Sequence, residues 1–158
     1  MSSVEFPIFV SYSQVTVFDH SLERPFNQWT EQHVAQGFSW RPGSAAIRTI
    51  AEGGRHLVTV TVDVDDEEQP SGAIRIIDVP FEAPTNGVVE IASISDSSLL
   101  KIAPGMYKLR FECYKSNGNQ EARIRFLFVR NANPAFHIVR ADSELSPEKE
   151  LLLTSSPA

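Results

Sequence analysis

The chain has 158 residues, 42% hydrophobic and 22% charged, with a formal net charge of −6. That size suits one globular domain, and that composition excludes a wholly disordered chain. The acidic balance speaks against a nucleic-acid binder, which needs a basic patch, and a single cysteine, Cys113, excludes an intrachain disulfide and a cysteine metal cluster.

The N-terminus, Met1-Ser2-Ser3-Val4-Glu5-Phe6-Pro7, has no basic segment followed by a long apolar one. No run approaches the ~20 apolar residues of a membrane span. A soluble, cytoplasmic protein with no membrane insertion is therefore expected. Residues 8–19 read as one strand. Thr30 can cap a short helix near residues 30–36, with Glu31 in its first turn and Gly37 at its end. Trp29 would anchor that helix on a sheet. Strands follow at residues 38–41 and 45–51, broken by Arg41-Pro42-Gly43.

Period-two alternation then dominates. In residues 57–65, Val58, Val60, Val62 and Val64 face one way and Thr59, Thr61, Asp63 and Asp65 the other. Strands at 73–81 and 88–95 flank the turn Thr85-Asn86-Gly87. After Pro104-Gly105, Tyr107, Leu109, Phe111 and Cys113 alternate with Lys108, Arg110 and Glu112. Ser116-Asn117-Gly118-Asn119 is a hairpin signal leading into residues 121–130. There Ile124, Phe126 and Phe128 form one row, and Leu127 and Val129 make the strand end apolar on both faces. A last strand is expected at 135–141. Residues 142–158 are ambiguous: Ser146-Pro147-Glu148 resembles a helix start, Leu151-Leu152-Leu153 suits a late strand, and residues 154–158 are expected to fray. Many short strands with short connections predict an all-β fold, an antiparallel β-sandwich or flattened barrel with one short helix, spanning residues 1–158 as a single domain.

The sharpest charged feature is Asp63, Asp65, Asp66, Glu67 and Glu68. It reads as a solvated strand end, as a contact surface for a basic protein, or as a calcium site, although the EF-hand spacing of Gly and Glu is missing. His20, His33, His56 and His137 lack metal-ligand spacing. No nucleophile elbow or phosphate loop is present, so no catalytic residue, metal or cofactor is assigned. Cys113, in its apolar row, reads as core filler rather than a reactive thiol. Tyr12, Phe18, Trp29, Phe38 and Trp40 read as a core packed where the helix meets the sheet, with a platform for a sugar or a partner protein as the alternative.

The string Ser11-Tyr12-Ser13-Gln14-Val15-Thr16-Val17-Phe18, then Trp29-Thr30, then Gly37-Phe38, resembles the competence protein J (ComJ) family. Weaker echoes follow at Val79-Pro80-Phe81, Ile91-Ala92-Ser93-Ile94 and Pro104-Gly105-Met106-Tyr107-Lys108-Leu109. The resemblance implies a β-sandwich that binds and inhibits a nonspecific DNA nuclease without catalysis of its own. Tyr12, Gln14, Phe18, Trp29, Thr30, Gly37 and Phe38 carry the signature and are expected to be structural. The carboxylates of Asp63, Asp65, Asp66, Glu67 and Glu68 are the expected partner surface, because a nuclease's DNA groove is basic. The same scaffold would serve in competence or as an immunity protein. The alternative function is a non-enzymatic β-sandwich for carbohydrate or calcium, and a hydrolase with a scattered active site ranks third.

Overall fold

The computed structural model describes residues 2–64, 72–116 and 121–158. Its strands are β1 (Ser2–Val10), β2 (Gln14–Asp19), β3 (Phe38–Arg41), β4 (Ser44–Arg48), β5 (Gly54–Val62), β6 (Arg75–Ala83), β7 (Val88–Ala92), β8 (Ser97–Lys101), β9 (Gly105–Tyr114), β10 (Ala122–Arg130) and β11 (His137–Arg140), with helix α1 (Glu31–Gln36) before β3. Two sheets form, ordered β1-β5-β10-β9-β6-β11 and β3-β4-β2-β7-β8. This is the expected all-β sandwich, not a closed barrel. The second sheet is antiparallel throughout. The first is mixed, because β10 runs parallel to β5.

Alternation fills the core as the sequence pattern predicts. Val58 and Val60 of β5, Tyr107, Leu109, Phe111 and Cys113 of β9, and Ile124, Phe126 and Phe128 of β10 point inward to meet Val15, Val17, Phe38 and Ile47 from the second sheet. Each such side chain contributes about 1.5–3 kcal/mol by leaving water. Leu127 and Val129 lie on the other face of β10 and are buried too. The first sheet has a managed edge at β1. Glu5 and Pro7 lie within edge strand β1, where a charge and a missing N–H disfavour pairing with a further strand. Pro80 lies in β6 beyond the last residue paired to β11, and its carbonyl accepts the Trp40 indole N–H at 2.7 Å.

Several expectations change. Residues 8–19 are not one strand: β1 belongs to the first sheet and β2 to the second, with a two-residue turn at Tyr12–Ser13 between them. Val64 does not continue the valine row. Asp63 has φ +59, which turns the chain so that Val64 packs against Leu127 and Val129 instead. Strand β8 is an element the sequence pattern does not announce: Ser97-Ser98-Leu99-Leu100-Lys101 carries no apolar alternation and pairs along β7.

Residues 142–158 make neither the helix nor the late strand. The Ser146 N–H is taken by the Ala35 carbonyl (2.9 Å), so the would-be cap bonds outward to α1. Residues 154–158 are also held rather than frayed: Thr154 O accepts from His33 Nε2, Pro157 bridges Asn27, and the Ala158 N–H reaches Phe26 O. The segment is a strap across α1 and the edge strand β3. Among the described residues no helix is long and apolar enough to cross a membrane.

His56, buried in β5, gives a pH-dependent contribution. Its Nδ1–H donates to the Gly54 carbonyl (2.9 Å), and Nε2 has no partner among the described residues. Burial lowers its pKa from the ordinary 6.5, against smaller opposing effects of Gly54 and of the Glu121 charge. Above that value the ring is neutral in both folded and unfolded chains. Below it the unfolded chain binds the proton first, so stability falls as pH drops from 6.5 toward the folded pKa. Thermal unfolding between pH 8 and 5 is expected to show this decline, and to show less of it in His56→Phe. An equal decline in both proteins would assign it elsewhere.

Candidate functional site

Asp63 stands exposed at the end of β5. Asp65, Asp66, Glu67 and Glu68, the rest of the expected partner surface and calcium candidate, lie outside the described residues. Among the described residues no group of three or more His, Cys, Asp or Glu side chains could hold a metal ion. Cys113 is fully buried, and desolvation pushes its thiol up to about 12. It stays protonated at neutral pH, so the reactive-thiol reading fails.

Most of the signature residues build α1 and its seat. Thr30 Oγ1 accepts from the His33 N–H, and His33 Nδ1 accepts from the Thr30 N–H at 3.0 Å, a capping box with His where Glu or Gln is usual. Gly37 ends the helix at φ +89. A Cβ there would sit 3.0 Å from Leu145 Cδ2 and 3.1 Å from Ile77 Cδ1. Phe38 is buried between the sheets and stacks on Phe136, which also takes Trp40 edge-on. Phe18 is buried on the other face of its sheet, edge-on to Phe26. Gln14 and Trp29 are joined by the indole N–H to Gln14 Oε1 (3.1 Å).

Tyr12 departs from its expected place in the core. It is 77% exposed. Its even spacing from Phe18 means nothing once the chain turns between them. Tyr12 and Ser13 both have φ +57, bracketed by the Ser11–Gln14 bridge. A two-residue hairpin turn with positive φ at both positions normally takes Asn-Gly. For Tyr and Ser the left-handed region costs about 1–2 kcal/mol per residue. The turn is pinned by Ser13 N–H to Glu52 O and Thr49 N–H to Ser13 O, both 2.8 Å.

The pinned turn forms one wall of a cleft of about 350 Å³ lined by Tyr12, Ser13, Gln14, Trp29, Val34 and Arg48. Val34, on α1, is 41% exposed. Arg48 donates through Nη1 to the carbonyls of Val34 and Glu144 and sits 3.9 Å from the Glu144 carboxylate. Exposed Glu31 opens α1 beside Trp29, and exposed Glu52 follows the strand that carries Arg48. Nothing in the residues 11–14 announces this cleft, because neither Gly, Pro nor Asn marks the turn. Only the crowding of Tyr12, Gln14 and Trp29 into one sequence block hints at it.

The sequence profile of competence protein J (ComJ) matches residues 7–129. This chain belongs to the ComJ family. Among solved structures, ComJ of Bacillus subtilis, described as an inhibitor of the DNA-degrading activity of NucA, superposes with a TM-score of 0.71. The alignment covers 81% of this chain and 96% of that one at 18% identity, so the likeness is one of fold. A second structure, described as crocagin biosynthetic gene J, aligns over 80% of this chain and 98% of its own at 11% identity and a TM-score of 0.47. Comparison with curated protein sequences gives no match. The ComJ profile covers the cleft residues Tyr12, Ser13, Gln14, Trp29, Val34 and Arg48 and stops short of the C-terminal strap.

Proposed function

We propose that this chain is a cytoplasmic protein inhibitor of a nonspecific DNA nuclease, acting by stoichiometric binding and without catalysis of its own. The observation that carries the reading is ComJ family membership over residues 7–129. The fold shared with the Bacillus subtilis inhibitor supports it. The context is DNA uptake or protection from a toxic nuclease. Adding the purified protein to NucA, or to a nuclease encoded beside this chain, is expected to abolish DNA cleavage near equimolar ratio. Unchanged cleavage by both nucleases at large excess overturns the reading.

Within it, Asp63, Asp65, Asp66, Glu67 and Glu68 steer the encounter. Five carboxylates in six residues, on a chain of net charge −6, project a negative field toward a groove built for phosphates. Such fields raise association rates by roughly 10-fold to 10³-fold at low salt. Changing all five to Asn or Gln is expected to slow association about tenfold at low ionic strength and to flatten its salt dependence, with little change in the dissociation rate. Indifference of the association rate would place the steering charge elsewhere.

A further inference from the structure

The Tyr12–Ser13 turn holds a large aromatic side chain in water on a backbone that favours Asn-Gly. Two non-glycine residues at φ +57 persist there only because Glu52 and Thr49 pin them. Strain that the surroundings enforce concentrates where a group must be presented. What this turn presents, together with Trp29, Val34 and Arg48, is the side-chain set that dominates binding energy at protein interfaces: Tyr, Trp and Arg around a recess. Tyr12 also loses little rotamer freedom on docking, since its body is rigid.

The charge around the recess selects the occupant. Exposed Glu144 has its carboxylate 3.9 Å from Arg48 of the lining, exposed Glu52 holds the turn through its carbonyl, and exposed Glu31 is two residues from Trp29. Among the described residues the one cation lining it, Arg48, is already held by two carbonyls and faces Glu144. The balance favours a positive group, and the faces of Tyr12 and Trp29 suit a guanidinium or ammonium by cation–π attraction.

We propose that this cleft is the short-range anchor for the nuclease, taking an Arg or Lys side chain that projects from it. The proposal rests on the inhibitor reading and deepens it. Asp63 follows one end of β5 and the pinned turn lies against the other, about 26 Å away over the eight steps from Gly54 to Val62. The cleft is therefore at the opposite end of that strand from Asp63.

The test pairs two variants. Tyr12→Asn with Ser13→Gly gives the turn its preferred residues, so the melting temperature is expected to rise. The same variant is expected to inhibit the nuclease roughly tenfold less well, through faster dissociation. Val34→Lys, on an exposed helix position, puts a like charge into the recess and is expected to weaken inhibition by a similar factor at unchanged melting temperature. If the unaltered protein inhibits the nuclease and both variants inhibit equally well, the anchor is overturned while the inhibitor reading stands. If the unaltered protein inhibits neither NucA nor the neighbouring nuclease, the inhibitor reading fails and this one with it.

Discussion

Asp142→Ala is expected to lower stability by about 3–5 kcal/mol, because it leaves a buried guanidinium with only the Arg48 carbonyl and the more distant, half-exposed Glu144 carboxylate at 3.5 Å. Arg75 is 1% exposed, at the end of the inward row of β6, opposite Cys113. Its Nε donates to Asp142 Oδ1 at 2.6 Å and its Nη2 to Oδ2 at 2.9 Å, a two-point pairing, and Nη1 donates to the Arg48 carbonyl at 2.6 Å. Burial alone would raise the Asp142 pKa, but the hydrogen bonds and charge of Arg75 outweigh it and hold the carboxyl below its ordinary 3.8. The sign follows: this contribution is present above pH 3.8 and is lost as pH falls through the folded pKa. Arg75→Met alone should also destabilise, by leaving the Arg48 carbonyl and the carboxylate without their donor. Joining Arg75→Met to Asp142→Leu should recover much of the loss, since a buried pair replaced by apolar groups is often near neutral. Chemical denaturation of the four proteins checks the cycle. A loss under about 1 kcal/mol in Asp142→Ala would mean that water reaches the guanidinium.

The same pairing explains what the sequence left hidden. Where one residue's neighbours along the chain decide its place, the pattern was readable. The rows Val58-Val60-Val62 and Tyr107-Leu109-Phe111-Cys113 state their burial by alternation alone, and they are buried. Thr30 and Gly37 bracket α1 because caps are local chemistry. Where a distant segment decides, the pattern was silent. Arg75 looks like a charged strand residue until Asp142 arrives from the C-terminal strap. Strand β8 exists by virtue of β7. The parallel pairing of β10 with β5 needs the whole sheet order, which hairpin signals do not carry.

The candidate site divides along the same line. Gln14, Trp29 and Phe38 were readable as a family signature, and their packing follows from it. The turn at Tyr12 was not, since its geometry is imposed by Glu52 and Thr49, some forty residues on. A residue forced into an unfavourable backbone by distant contacts is invisible to local propensity, and that is also what makes it informative about function.

Gln36→Leu is expected to release the strap before the molecule unfolds as a whole. Gln36 is wholly buried at the end of α1. Its Nε2 donates to Phe38 O at 3.0 Å and to Leu152 O at 2.9 Å, and its Oε1 accepts the Leu152 N–H at 2.9 Å. One side chain thus satisfies the outer edge of β3 and both backbone groups of Leu152. Leucine fills the space but pairs with none of them. Each unpaired group costs about 1–3 kcal/mol where water is excluded. Leu152 can move out to solvent, whereas the Phe38 carbonyl sits under the strap. The net loss should therefore be about 2–4 kcal/mol, concentrated locally. Hydrogen exchange is expected to rise first at residues 146–158 and at Gln28, whose N–H bonds to the Ser156 carbonyl within this contact. The strands of the first sheet should keep their protection. Because His33 also leans on the strap through Thr154, α1 would loosen with it, and Val34 and Trp29 would lose their fixed positions beside Tyr12. Inhibition should then weaken even though the acidic run and Tyr12 are untouched. Uniform loss of protection across both sheets would instead make the strap part of the global folding unit.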